Sequence, residues 1–582
     1  MFEIEGSKLI RYYSEEDGKD PVLLSRGEGE QIFSLYEIGP KAAASSAEEG
    51  KEPAAAPEGG KEDSAPSRTV EKEIVLPSYI EEIGPSAFAH REALERIVLP
   101  EGLRRIGDGA FYECRNLKEI NLPEGLESIG ENAFYGCLQL GSVKLPESLK
   151  SLGPAAFQWC SRLTEVHLPE GLTELSDNVF YGCRRLTAVK LPESLVRLGV
   201  SSFHWCQGLK RVHIPEGITE LPESVFQWCN DLEEAKLPAG LTAIGGSAFS
   251  NCRRLKSIQL PESLRSIGLS AFFSCIKLEE LDLPDMALDL GLNSFSGCRN
   301  LRRIHFPKKL EMLPEWIFSE CDALESPELP DGLKVIGARA FYGCKGLTDL
   351  KVPDSVEEIG DWSFYGCTDL LRTELPESVR RIGERAFCGC RRLPEIRLPK
   401  GLKTLGANAF RDCAGLRRVF LPQGIEEIGL GAFSKEKELV FERNHAELKL
   451  IMQGEWDDDE EEKALSRFFF EPGPETFAAL THPAYTIPIA VNYRRTDPVF
   501  DGYLRDNITG LVRYLTDEND VARITELTDL GYVHAGNVDV MIEYAIGQKK
   551  LDAEAALMDY KNRLQGTAGF QKDDLIDQMF SL

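Results

Sequence analysis

The chain carries 15 cysteines, and two of them, Cys388 and Cys390 in the stretch "AFCGCRRLPEIRLP", stand one residue apart. Thiolates bind zinc and act as redox nucleophiles, so a Cys-Gly-Cys pair raises both chemistries. Fourteen of the cysteines, from Cys114 through Cys137 and Cys160 to Cys413, recur at one constant interval, and Cys390 is one of them. Each follows a phenylalanine by three residues, the spacing of one helical face. Stacked turns would line the sulfurs up about 5 Å apart. A line does not converge as four zinc ligands must, and parallel side chains reach the disulfide dihedral poorly. The column therefore reads as a ladder of reduced, buried thiols, ahead of occasional disulfides and ahead of metal. Cys388 alone is off that register. Its column holds Tyr112, Tyr135, Tyr181, Tyr342 and Tyr365 in other turns, which predicts it as the most accessible, reactive thiol. The sequence has no Walker-type phosphate loop, no H-E-x-x-H and no G-x-S-x-G elbow. The eight histidines are scattered, and the acidic run Glu455–Glu462 lacks the spaced ligands and glycine of a calcium loop. No catalytic residue, cofactor site or metal site is assigned, and the expectation is a protein that is not an enzyme.

The elements that would position these residues come from one repeat. Sixteen prolines, beginning Pro77, Pro100, Pro123 and ending at Pro422, fall at a constant interval of twenty-three residues without insertion or deletion. A phenylalanine follows each by eleven residues (Phe88 to Phe433) and a leucine by seventeen (Leu94 to Leu439). Before the proline, "LKEINLP" alternates apolar Leu117, Ile120 and Leu122 with polar Glu119 and Asn121, the mark of a half-buried strand. The proline ends that strand. Ile129-Gly130 reads as a turn, and "ENAF" as a short helical turn that inserts its Phe. One unit cannot bury its Phe and Leu alone, so the units must stack into a solenoid, on the order of 75 Å long.

The pattern L-x-x-I-x-L-P-x-x-L-x-x-I-G-x-x-A-F-x-x-C resembles the BspA-like class of bacterial leucine-rich repeats over residues 71–441. The resemblance implies an α/β repeat fold: a right-handed leucine-rich-repeat solenoid with a parallel concave β-sheet and short helical turns. It also implies binding or adhesion without catalysis. Arg91, after His90, and Lys435-Glu436 stand at the two ends of the column that cysteine otherwise fills, as expected of capping units. Pro222 and Pro314 replace the turn glycine. Pro327 and Thr373 occupy inward strand positions, so the sheet is predicted to be least regular over 325–375.

The net charge of −28 argues against non-specific nucleic-acid binding. No stretch is long and apolar enough to span a membrane, and "MFEIEGSKLIRYY" does not read as a secretory leader. The expected location is cytoplasmic, with the cell surface or non-classical secretion as the alternative. The expected organisation is an N-terminal hairpin or cap (1–39), a disordered Ala/Glu/Gly/Pro/Ser-rich linker (40–70), the solenoid (71–445), an acidic connector (446–474) and a small all-α domain (475–582). In that last domain "NITGLVRYL" and "NVDVMIEYA" match at a 30-residue offset. The match suggests two helical hairpins similar to degenerate ankyrin repeats, with Asp520 as an N-cap and Gly531 as a stop. The domain either caps the solenoid or binds a second partner.

Two surfaces are candidates for binding. Lys144, His167, Lys190, His213 and Lys236 share one strand column and would form a basic stripe for an anionic protein segment or glycan, unless the face is simply mixed and solvated. Trp159, Trp205 and Trp228, with Tyr181 and His204, would form an aromatic edge, unless the rings pack between turns. The expected function is a non-enzymatic protein-protein interaction scaffold; a surface adhesin or glycan-binding protein is the alternative.

Overall fold

A computed structural model describes residues 2–12, 72–285, 288–422, 424–429, 431–433, 438–443, 446–451, 464–465, 467–469 and 471–579. The predicted linker and the acidic run Glu455–Glu462 lie outside the described residues.

Three ladders of backbone hydrogen bonds hold the turns together. The first is the predicted one. Strands such as Ser142–Lys144, Glu165–His167 and Ala188–Lys190 pair in parallel and in register. Their central valines are buried and the flanking residues exposed, as the alternation requires.

The second ladder stands where the sequence reads as a turn. Ser128–Ile129, Ser151–Leu152 and their equivalents are two-residue parallel strands. The glycine after each is there for closeness: a Cβ on Gly130 would lie 2.7 Å from the Gly107 carbonyl carbon. Successive turns touch backbone to backbone at that point.

The third ladder runs through the short turns around each phenylalanine. Two residues per turn sit at positive φ, among them Asn132 (54°) and Trp159 (62°). That conformation costs an L-residue roughly 1–2 kcal/mol. It also turns alternate N–H groups along the solenoid axis. Phe88, Phe111 and Phe134 donate forward to Ala110, Ala133 and Ala156 of the following turns at 2.7–2.8 Å. Two flanking residues do the same, as in Ser86 to Asp108 (2.8 Å) and His90 to Tyr112 (2.6 Å).

Inside, the phenylalanines stack with centroids 5.1–6.1 Å apart along the whole array. The cysteine column has a backbone role. The Cys114 thiol donates to the Phe88 carbonyl at 3.0 Å, and each later ladder cysteine repeats this contact, through Cys413 to Phe387. Where the first turn has Arg91 in place of cysteine, its guanidinium reaches the Tyr12 carbonyl at 2.7 Å.

The ends are capped differently. An antiparallel hairpin, β1 (Phe2–Glu5) and β2 (Lys8–Tyr12), adds β2 in parallel to the second ladder at Glu82–Ile83. At the other end Glu438–Arg443 extends the first ladder, and Ala446–Ile451 folds back on it. That last strand falls in the stretch expected to be a connector. Helix α1 (Pro483–Tyr493) lies against it. Two helix pairs follow: α2 (Pro498–Asp517) with α3 (Val521–Asp529), and α4 (Val538–Gly547) with α5 (Leu551–Met579). Asp520 caps α3 by accepting from the Arg523 N–H, and Gly531 follows at φ 80°.

The first ladder is segmented. No strand forms at 326–328, where Pro327 stands, and Arg372–Glu374 does not pair with Glu395–Arg397. Pro394 explains the second gap. The equivalent Thr348 and Leu371 donate N–H groups back one turn, and proline has none. Only the break at Pro327 falls within 325–375; Thr373 sits in a strand that pairs in register with Asp349–Lys351. The ladder is also interrupted between Glu119–Ile120 and Ser142–Lys144 and between Ala188–Lys190 and Arg211–His213, so the irregularity is not concentrated there as expected. A similar gap at 257–259 has no proline to account for it.

Candidate interaction surfaces

The sheet face places Lys144, His167, Lys190, His213 and Lys236 in one exposed column. The stripe is not a cationic surface. The residue after each proline is an acid in these turns, and it lies beside the column one turn on. Lys190 reaches Glu170 at 3.0 Å, Lys144 reaches Glu124 at 3.7 Å and His213 reaches Glu193 at 3.7 Å. His167 meets Glu165 at 3.5 Å, and Lys236 makes no ion pair among the described residues. Glu170 holds Lys190 above its ordinary range and is itself lowered by it. The turns after Pro123 to Pro215 carry Glu124, Glu147, Glu170, Glu193 and Glu216 against three lysines. With its charges paired in this way, the face is mixed rather than a free basic stripe. The pairing was hidden because its partners, such as Lys190 and Glu170, stand 20 residues apart, three short of the period.

Elsewhere on the face, charges alternate between neighbouring strands. Arg96 meets Glu119 at 2.6 Å, and Arg303 pairs with Glu280. Exposed pairs of this kind contribute little each.

The aromatic edge follows the positive-φ turns. Trp159, Trp205 and Trp228 are half-buried and pack on neighbours. Trp159 and Trp205 meet at 5.6 Å, with Tyr181 5.3 Å from Trp159 and 4.6 Å from His204. The Arg184 guanidinium lies 5.5 Å from the Trp159 ring and 5.2 Å from Trp205. Arg253 covers Trp228 at 5.5 Å. Arg339 lies between Trp316 and Trp362, at 4.7 and 5.5 Å. These are cation–π distances, so the edge is a stacked ladder of half-buried rings and guanidinium groups. Sequence reading found its tryptophans but missed the arginines. Burial among these rings lowers His204 to about 4.

Cys388 lines the edge where other turns have tyrosine. It is the least buried thiol, as expected, but only 3% exposed against none for the ladder cysteines. Burial pushes it up to about 12. It holds its proton at neutral pH, so the expectation of a reactive thiol is corrected: it is the most accessible sulfur without being an activated one. Cys390 points inward to the Phe364 carbonyl at 3.4 Å. The two sulfurs of the Cys-Gly-Cys pair thus serve different environments.

A profile of the BspA-type leucine-rich repeat region, in six copies, matches residues 81–210, 127–244, 219–348 and 313–440. Among solved structures, a leucine-rich repeat protein from Bacteroides ovatus is similar at 31% identity, over 61% of this chain and 88% of its own length, with a TM-score of 0.50. A leucine-rich cell surface protein from Faecalibacterium prausnitzii aligns at 23% identity over 61% and 83% of the two chains, with a TM-score of 0.32. A leucine-rich repeat protein from T. pallidum aligns at 30% identity over 32% and 79%, with a TM-score of 0.25. No curated protein matches significantly.

Proposed function

The chain belongs to the BspA-type leucine-rich repeat family, and from that premise we propose that it is a non-enzymatic scaffold that binds another protein. The aromatic edge carries this reading. Large rings there remain half-exposed through many turns, held rigid by positive-φ backbone and by stacked arginines. Rigid aromatic surface is the kind that anchors protein partners, because little side-chain entropy is lost on binding. The sheet face, with its charges already paired, is the weaker candidate. The proposed location is cytoplasmic. Recovery of the protein on the surface of native cells would replace the scaffold with an adhesin.

The test is a pull-down from native extract with three folded proteins. These are the wild type, Trp205→Ala/Trp228→Ala and Lys190→Glu/His213→Glu. The edge variant is expected to lose a partner that the face variant keeps. If neither variant loses any partner, both surfaces are wrong.

A further inference from the structure

Four turns share the sequence Phe-Tyr-Gly-Cys, beginning at Phe134, Phe180, Phe341 and Phe364. Two others differ only by losing the tyrosine: Phe-Ser-Gly-Cys at Phe295 and Phe-Cys-Gly-Cys at Phe387. A cavity sits at each of these two places, about 480 Å³ at Ser296 and about 530 Å³ at Cys388.

The two cavities are built alike. The preceding turn supplies a ring in the same column, Phe273 for the first and Tyr365 for the second. Phe273 is 36% exposed, whereas Tyr112 and Tyr342 are each covered by a stacked ring from the next turn. The glycine of the same turn forms the floor, Gly297 or Gly389, at φ 75° and 77°. The following turn supplies a carboxylate, Glu320 or Asp412. Where the tyrosines are present, adjacent rings stack at 4.8–4.9 Å, as in Tyr112–Tyr135 and Tyr342–Tyr365. Each hollow thus stands where other turns carry a tyrosine, next to an existing ring; the short side chains at that place, Ser296 and Cys388, are themselves only 6% and 3% exposed.

Each cavity also has a guanidinium on its wall that makes no ion pair among the described residues. In the first it is Arg253, which covers only the Trp228 ring; in the second it is Arg391. An acidic group beside the incoming ring would meet it.

We propose that these gaps are sockets for two aromatic side chains of one extended, acidic segment of a partner protein, each aromatic residue flanked by an Asp or Glu. Ser296 and Cys388 are four turns apart, which is about 19 Å at the strand spacing. An extended chain covers that distance in about six residues. The segment runs along the edge parallel to the solenoid axis. Its second ring binds as an intramolecular event once the first is seated. The inference rests on the reading of the aromatic edge as a partner surface and specifies what that surface holds.

The test uses capped synthetic peptides titrated calorimetrically into the full chain. One carries two Tyr-Asp pairs with the tyrosines six residues apart. The others have one tyrosine replaced by alanine, both replaced, or the tyrosines three residues apart. The six-residue spacing is expected to bind at least about tenfold tighter than the single tyrosine. Ser296→Tyr should abolish that advantage, and Ser296→Tyr/Cys388→Tyr should abolish binding, both with an unchanged or higher Tm. Arg391→Gln should reduce the preference for Asp beside the ring. Equal binding of tyrosine and alanine peptides, no binding at all, or retained binding by the double tyrosine variant overturns the proposal. Failure of the tyrosine variants to fold overturns it equally, because the gaps would then not fit a ring. If the peptides fail while Trp205→Ala/Trp228→Ala still loses its cellular partner, the sockets fall and the scaffold reading stands.

Discussion

Three serines are predicted to weaken the protein that contains them. Ser202, Ser294 and Ser363 are fully buried, and their hydroxyls have no hydrogen-bond partner among the described residues. They occupy a column that is alanine in ten of the sixteen turns, from Ala87 to Ala432. A buried hydroxyl without a partner costs about 1–3 kcal/mol. Its removal also loses a few dispersion contacts, so each Ser→Ala change should stabilise by about 1 kcal/mol. The sites are three and four turns apart, or about 14 and 19 Å, far enough for their effects to add. The triple variant should gain about 3 kcal/mol, which in an array of this length raises Tm by about 4 °C. Because a solenoid can open locally, amide hydrogen exchange is the sharper assay. The N–H groups of Phe180, Phe272 and Phe341 donate to the carbonyls of Ser202, Ser294 and Ser363 at 2.8–2.9 Å. Each should exchange about fivefold more slowly in the matching variant. The reverse change, Ala248→Ser, should destabilise by a similar amount. A triple variant no more stable than the wild type would refute the reasoning: the hydroxyls would then be satisfied in the folded state, by water or by a carbonyl.

Phe249→Ala should cost about 3–5 kcal/mol. Its ring is buried between Phe226 and Phe272, at 5.6 and 5.3 Å, and a loss near zero in urea titrations would contradict a stacked core. His204 links stability to pH. Burial lowers it to about 4 from an unfolded 6.5, so the unfolded chain binds the extra proton between those values. Stability is therefore full above about pH 6.5 and falls by up to about 3 kcal/mol as pH drops to about 4. His204→Tyr should remove that slope, and a difference between the two proteins that stays constant with pH would rule the linkage out. Thiol labelling of the folded protein should modify Cys388 first, slowly because its thiol is pushed up to about 12. Prior labelling of Cys390 would mean that the inside and outside of the turn have been exchanged.

Register and core were legible because each depends on residues repeating at one period, whereas the C-terminal capping strand Ala446–Ile451, which repeats nothing, read as a connector. A buried phenylalanine or cysteine is visible once in every unit whatever its neighbours do. What stayed hidden breaks that period or leaves no side-chain signature. The second ladder is only two residues long, below what alternation can reveal. Positive φ is easily read at Gly136, yet the equivalent positions hold Trp159 and Trp205, where only the forward hydrogen bond accounts for it. The acid opposite a lysine falls short of the period, as Glu170 does for Lys190, and the arginines stack on tryptophans at several different spacings. Pro394 stands in the same stretch as the Cys388–Cys390 pair, but its effect follows only from the N–H groups that its equivalents Thr348 and Leu371 donate.

The forward-donating ladder also has an electrical consequence. In a β-sheet neighbouring peptide dipoles alternate and nearly cancel. Here the carbonyl of Asp108 accepts from the turn before while the N–H of Gly109, in the same peptide unit, donates to the turn after. Three such units per turn point the same way, roughly 10 D per turn if each carries the usual peptide moment. The aromatic edge is therefore a polarised rod, with its sign reversed relative to an α-helix: carbonyl-negative where the chain enters and N–H-positive where it leaves. The N-terminal hairpin closes the negative end, with the Tyr12 N–H on the Ala87 carbonyl at 3.1 Å and the Arg91 cation beside it. At the opposite end the same field favours negative charge.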